Sequence, residues 1–122
     1  MQILIVDDSE TSRMITKKCL FICGYEDSTF HEAQDGLEAL QVLDKNQIDL
    51  MVTDLNMPRM DGFTLVKKLK LAHHLQRPKI IVFSSLANEP VEKELKSYGV
   101  SAVVHKPLTP EKLSLALEEA NV

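Results

Sequence analysis

Short apolar runs alternate along the chain with longer stretches of helical spacing. Residues 3–6 (ILIV), 48–54 (IDLMVTD), 80–83 (IIVF) and 102–104 (AVV) are apolar segments of strand length, each closed by polar or turn-forming residues. Runs apolar on both faces belong to strands covered on both sides, which predicts a parallel sheet between helices. Thr29-Phe30-His31 is shorter and flanked by charge, and predicts a strand near the sheet edge.

Between these runs the spacing turns helical. Ser9 is a candidate N-cap for a helix whose stripe is Thr11, Ile15, Cys19 and Ile22, stopped by Gly24. After the Asp35-Gly36 turn, Leu37, Ala39, Leu40 and Leu43 form a second stripe. Leu65, Val66, Leu69 and Ala72 form a third. Asn88 can cap a fourth, with Val91, Leu95 and Tyr98 inward; Glu92, Lys93, Glu94 and Lys96 leave it little apolar area. Thr109-Pro110-Glu111 is a strong helix start, followed by Leu113, Ala116, Leu117 and Ala120 at i, i+3, i+4 and i+7. Five successive βα units predict an α/β fold with right-handed crossovers.

Composition narrows the function classes. At 122 residues, 1–122 is expected to be a single domain, with no output domain after the last helix. The net charge of −4 and the lack of a basic run argue against nucleic acid as a partner. No apolar run approaches the ~20 residues that span a bilayer, so no membrane association is expected. Met1-Gln2 leads into the first strand without a basic leader, so the expected location is cytoplasmic. Cys19 and Cys23 lie four apart on one helix face, an awkward geometry for a disulfide; two small buried thiols in a reducing compartment are expected.

The chemistry lies at the strand ends. Four predicted strands finish in polar residues: Asp7-Asp8, Asp54, Ser84 and Lys106. In a parallel sheet all strand C-termini share one edge, where open α/β sheets place their ligands. A lone Asp at such a place is commonly a cap or turn former, but four fitting residue types at four strand ends are not explained by capping. Two unit charges ~4 Å apart repel by about 4 kcal/mol at an effective dielectric of ~20. Three carboxylates brought together therefore need a cation, or their pKa values must rise; for the cation, hard oxygen donors on a wet edge suit Mg²⁺. With Lys106 supplying an ammonium and Ser84 a hydroxyl, a carboxylate nucleophile and a metal make an acceptor site for phosphoryl transfer. Proline at 107 lowers the cost of a cis bond to about 0.5–1 kcal/mol, and a cis turn is one way to aim Lys106 back over the sheet.

These residues, with the segments DLNMPRMDG (54–62) and QDGLEAL (34–40), resemble the receiver domains of two-component response regulators, the CheY-like family, over the whole chain. The resemblance implies a doubly wound, flavodoxin-like sheet with strand order 2-1-3-4-5. It implies Asp54 as phosphoacceptor, with Ser84 and Lys106 contacting the phosphoryl oxygens. Mg²⁺ would be held by Asp8, Asp54 and the backbone carbonyl of Asn56, with Asp7 acting through water. Implied partners are a sensor histidine kinase or phosphotransfer protein and a downstream effector, met through the fourth helix, fifth strand and fifth helix. The domain would be a monomer or weak dimer, a switch rather than an enzyme in the ordinary sense, or else a phosphorylation-independent adaptor.

Val103 stands where the family often carries a mobile aromatic residue. His105 beside the lysine is unusual in type and reads as a surface imidazole. The segment 24–33 is about two residues longer than in CheY. Asn56 and Leu86 match positions that tune phosphoryl lifetime in the family, and the apolar Leu86 suggests a longer-lived group. His73 and His74, adjacent on a helix end, point apart and read as exposed. A dehalogenase-type phosphatase would need an acid two positions after Asp7, where Ser9 stands. A flavin carrier would need a phosphate loop where Asp7-Asp8 would repel it.

Overall fold

The computed structural model describes residues 1–72, 77–85 and 88–122; the histidines at 73 and 74 and Leu86 lie outside the described residues. The elements run β1 (Gln2–Val6), α1 (Glu10–Leu20), β2 (Thr29–Ala33), α2 (Gly36–Lys45), β3 (Leu50–Asp54), α3 (Gly62–Leu71), β4 (Lys79–Ser84), α4 (Glu89–Ser97), β5 (Ala102–His105) and α5 (Pro110–Glu119). All strand pairs are parallel, in the order β2-β1-β3-β4-β5, with the short charged strand at the edge as expected.

Alternation along each strand divides the core in two. Leu4, Val6, Met51, Ile80 and Val82 face one side, where Ala39 and Leu43 of α2, Leu65, Val66 and Leu69 of α3, and Leu95 of α4 cover them. Ile3, Ile5, Leu50, Val52, Ile81 and Phe83 face the other, under Cys19 and Leu20 of α1 and Leu113, Ala116 and Leu117 of α5. The apolar runs are therefore buried on both faces because helices lie on both faces. Ser9, Asn88 and Thr109 cap their helices as expected, and so does Asp35, read in the sequence only as a turn former.

Several expectations are corrected. The inward face of α1 is not Thr11, Ile15 and Ile22. Ile15 is 49% exposed and Ile22 70%, while Thr16, Cys19 and Leu20 are buried. The inward turn is partly polar, and its polar atoms find local partners: the Thr16 hydroxyl donates to the Ser12 carbonyl at 3.1 Å. Leu37 is exposed at the start of α2, and Ala72 caps α3 rather than packing beneath it. Cys23 is only half-buried, though both thiols are free. β3 starts at Leu50; Ile48 is buried just before it. α1 runs into a wider, π-type turn, Phe21–Tyr25, in which Gly24 takes a φ of +99°, a region glycine enters without steric cost.

Candidate functional site at the carboxyl edge of the sheet

Every predicted site residue except Asn56 lies at or just past the end of a strand, and the fold brings them to one edge. Asp7 and Asp8 follow β1, Asp54 ends β3, Ser84 ends β4 and Lys106 follows β5. Ligand oxygens of Asp7, Asp8 and Asp54 all lie within 4.8 Å of one another. Asp7 and Asp54 are buried and Asp8 is exposed, so the cluster is lined from below and open above.

Asp54 is 4% exposed. Its Oδ1 accepts from the backbone N–H of Leu55 at 2.8 Å, and its Oδ2 pairs with the Lys106 ammonium at 3.1 Å. Burial pushes the Asp54 carboxyl above the ordinary carboxylate range; Lys106 and the Leu55 N–H oppose this, and the nearby Asp7 charge reinforces it. The Lys106 ammonium also lies 5.4 Å from the centre of the Phe83 ring. The Lys106-Pro107 peptide is cis, and Ser84 is fully buried.

The acid cluster fits a hard divalent cation on an observation of its own. Asp7 Oδ1 accepts from the Ser9 N–H at 3.0 Å, but Asp7 Oδ2 is buried and finds no partner among the described residues. A buried carboxylate oxygen left without a partner carries a large desolvation penalty, and a cation between three carboxylates removes it. Asn56 lies just past Asp54, exposed, in the loop that starts at Leu55.

The sequence reading missed the side chains that hold this edge in shape. Arg13 of α1 donates from Nη1 to the Asp7 carbonyl at 2.7 Å and from Nε to Glu32 of β2 at 2.8 Å. Its place on the misassigned face of α1 concealed it. Gly62 donates to the Leu55 carbonyl at 2.8 Å, and a Cβ at 62 would fall 2.5 Å from the Asp54 carbonyl oxygen, so only glycine permits this approach. Of the three departures noted in the sequence, Val103 is half-buried in β5, and His105 is exposed with Nε2 3.1 Å from Glu92 Oε1 of α4. The longer 24–33 segment contains the π-type turn's glycine.

The pattern of the response regulator receiver domain matches residues 3–118. The chain is 38% identical over 119 residues to the chemotaxis protein CheY1 of Helicobacter pylori, covering 97% of this chain and 94% of that one. It is 39% identical over 121 residues to the chemotaxis protein CheY homolog of Campylobacter jejuni, covering 98% and 91%. The solved structure of the chemotaxis response regulator CheY4 of Vibrio cholerae superposes with a TM-score of 0.83 at 29% identity, covering 98% of this chain and 97% of that one.

Proposed function

The chain belongs to the response regulator receiver domain family of two-component signalling, and from that premise we propose that it is a phosphorylation-driven switch whose acceptor is Asp54. The observation that carries the reading is the Asp54 carboxylate, held at the end of β3 between the Lys106 ammonium and an acidic pair with an unpartnered oxygen. In the proposed step a carboxylate oxygen of Asp54 attacks phosphorus. The new P–O bond forms as the P–N bond of a phosphohistidine on a sensor kinase or phosphotransfer protein breaks, and the imidazole departs with the electron pair.

Asp8, Asp54 and the Asn56 carbonyl would hold Mg²⁺, with Asp7 acting through water, and the ion would supply charge neutralisation for phosphoryl oxygens. Lys106 is already poised to move its hydrogen bond from the carboxylate to a phosphoryl oxygen. Ser84, at the end of the neighbouring strand, contributes its hydroxyl and carries the change towards α4. The responding face is α4, β5 and α5, where an effector protein is met. Val103 brings no ring to this face, so Ser84 carries the coupling without an aromatic partner. The apolar side chains of Met14 and Ile15, exposed on the helix that follows Asp8, give the donor domain a surface beside the acid edge. The domain acts as a soluble switch through protein partners rather than on nucleic acid.

Intact mass after incubation with acetyl phosphate tests the reading. The expected result is a gain of one phosphoryl group with Mg²⁺, abolished by EDTA and in Asp54→Asn. No gain under any condition favours an adaptor or a receiver restricted to its own donor; the intact acid set argues against the adaptor, and Val103 leaves it open.

A further inference from the structure

The loop from Leu55 to Asp61 carries the Asn56 carbonyl, and how that loop is fixed bears directly on the cation site. Two of its ties are backbone: Gly62 N–H to the Leu55 carbonyl at 2.8 Å, and Gly36 N–H to the Met60 carbonyl at 3.0 Å. A third is made by a side chain. Arg59 donates from Nε to Asp35 Oδ2 at 2.6 Å, and its Nη2 lies against the same oxygen.

Both members of this pair sit in unusual circumstances. Asp35 is 0% exposed and already serves α2 as its N-cap, accepting from the Glu38 N–H at 2.9 Å. Burial alone pushes its carboxyl up, but the Glu38 N–H and the Arg59 guanidinium outweigh it and hold the group below the ordinary range. Arg59 takes a φ of +64°, a conformation that L-residues with a side chain adopt rarely and at a cost. Its guanidinium is 58% exposed and turned to Asp35 of the neighbouring loop. The left-handed turn three residues after Asn56 thus aims a long side chain at a buried acid on another loop.

We propose that Arg59 is a positioning residue: through Asp35 it locks the loop so that the Asn56 carbonyl faces the cation held by Asp8 and Asp54. This rests on the reading of the acid cluster as a Mg²⁺ site. Charge alone makes the opposite forecast. Arg59 is a cation, so its removal should tighten binding of a divalent cation if its only influence were electrostatic. Positioning predicts weaker binding, as for other residues that orient a metal ligand from behind.

The test is a Mg²⁺ titration of the unphosphorylated protein, followed by backbone amide NMR shifts around Asp54 and Asn56. Arg59→Gly is the variant of choice, because glycine accepts the positive φ and the side chain is removed without added backbone strain. The expected result is affinity weakened by about 10-fold, with sheet amide shifts unchanged. Arg59→Lys, which keeps the charge, recovers part of the loss. Asp35→Asn retains a capping oxygen; it weakens binding alone and adds little in the Arg59→Gly background, since both break one tie. Equal or tighter Mg²⁺ binding by Arg59→Gly overturns the inference while leaving the cation site standing. Failure of the wild-type protein to bind Mg²⁺ overturns both.

Discussion

The loop after β3 and the helix after β4 leave the same edge of the sheet but are held in contrasting ways. The β3–α3 loop has Leu55 and Met60 buried, two backbone ties and the Arg59–Asp35 pair. α4 buries Leu95 alone. Val91 and the capping Tyr98 are only partly buried against the same cluster, and the remaining fastenings are polar: Lys96 to Glu119 at 3.2 Å, Glu92 to His105 at 3.1 Å, and Lys70 to the Ser97 carbonyl at 2.6 Å. Exposed pairs of this kind contribute about 0–1 kcal/mol each. The proposed site of chemistry is therefore built into the more firmly held part of the molecule, and the segment expected to respond has a single fully buried anchor, Leu95. A switch needs both, since a displaced element must lie near the low end of local stability.

The strongest way to break the contrast is Leu95→Ala. A buried leucine truncated to alanine costs about 2–5 kcal/mol, and here the loss should fall on α4. Native-state hydrogen exchange should show α4 amides losing protection while Leu55 and Gly62 keep theirs. Global loss of protection would mean that α4 is integral to the core.

Gly62→Ala reverses the pattern. The added methyl would meet the Asp54 carbonyl oxygen at 2.5 Å and Leu55 Cα at 2.9 Å. Overpacking of this kind costs about 1–3 kcal/mol. Phosphorylation by acetyl phosphate should slow, while α4 exchange is unchanged.

The smallest effect sharpens the rigid side. Asp35→Ala removes a helix cap and the partner of Arg59, for about 0.5–2 kcal/mol at neutral pH. The Asp35 carboxyl is lowered in the fold. Its contribution is therefore complete above the ordinary carboxylate range and disappears as pH falls through the depressed value. The deficit of Asp35→Ala should narrow as pH falls from the ordinary carboxylate range through the depressed value. Asp54 has the opposite sign: its carboxyl is raised, so ionising it weakens the folded state. Asp54→Asn should be more stable than the wild type at neutral pH, with the advantage fading as pH falls through the raised value towards the ordinary range. Urea denaturation across pH in EDTA reads both.

The strands and their polar ends were legible because burial on both faces demands unbroken apolar runs, and because parallel strands send their C-termini to one edge. Asp7, Asp8, Asp54, Ser84 and Lys106 can be grouped from that rule alone. α1 was harder to read. Its inward face mixes Thr16 with Cys19 and Leu20, and Arg13 sits largely buried with its charge bonded to a carbonyl and to Glu32. Hydrophobicity instead pointed to Ile15 and Ile22, which face outwards. The Arg59–Asp35 pair leaves no periodic trace, because it joins loops 24 positions apart and depends on a backbone angle rare for arginine.

The spread of the site over the strands also sets when it can exist. Asp7 and Asp54 precede Lys106 in the chain, and Lys106 follows the last strand of the sheet, β5, which pairs with β4. A chain that ends before residue 106 carries the proposed acceptor, Asp54, without the ammonium that pairs with it. Under the proposed function, competence to take a phosphoryl group would therefore coincide with completion of the sheet.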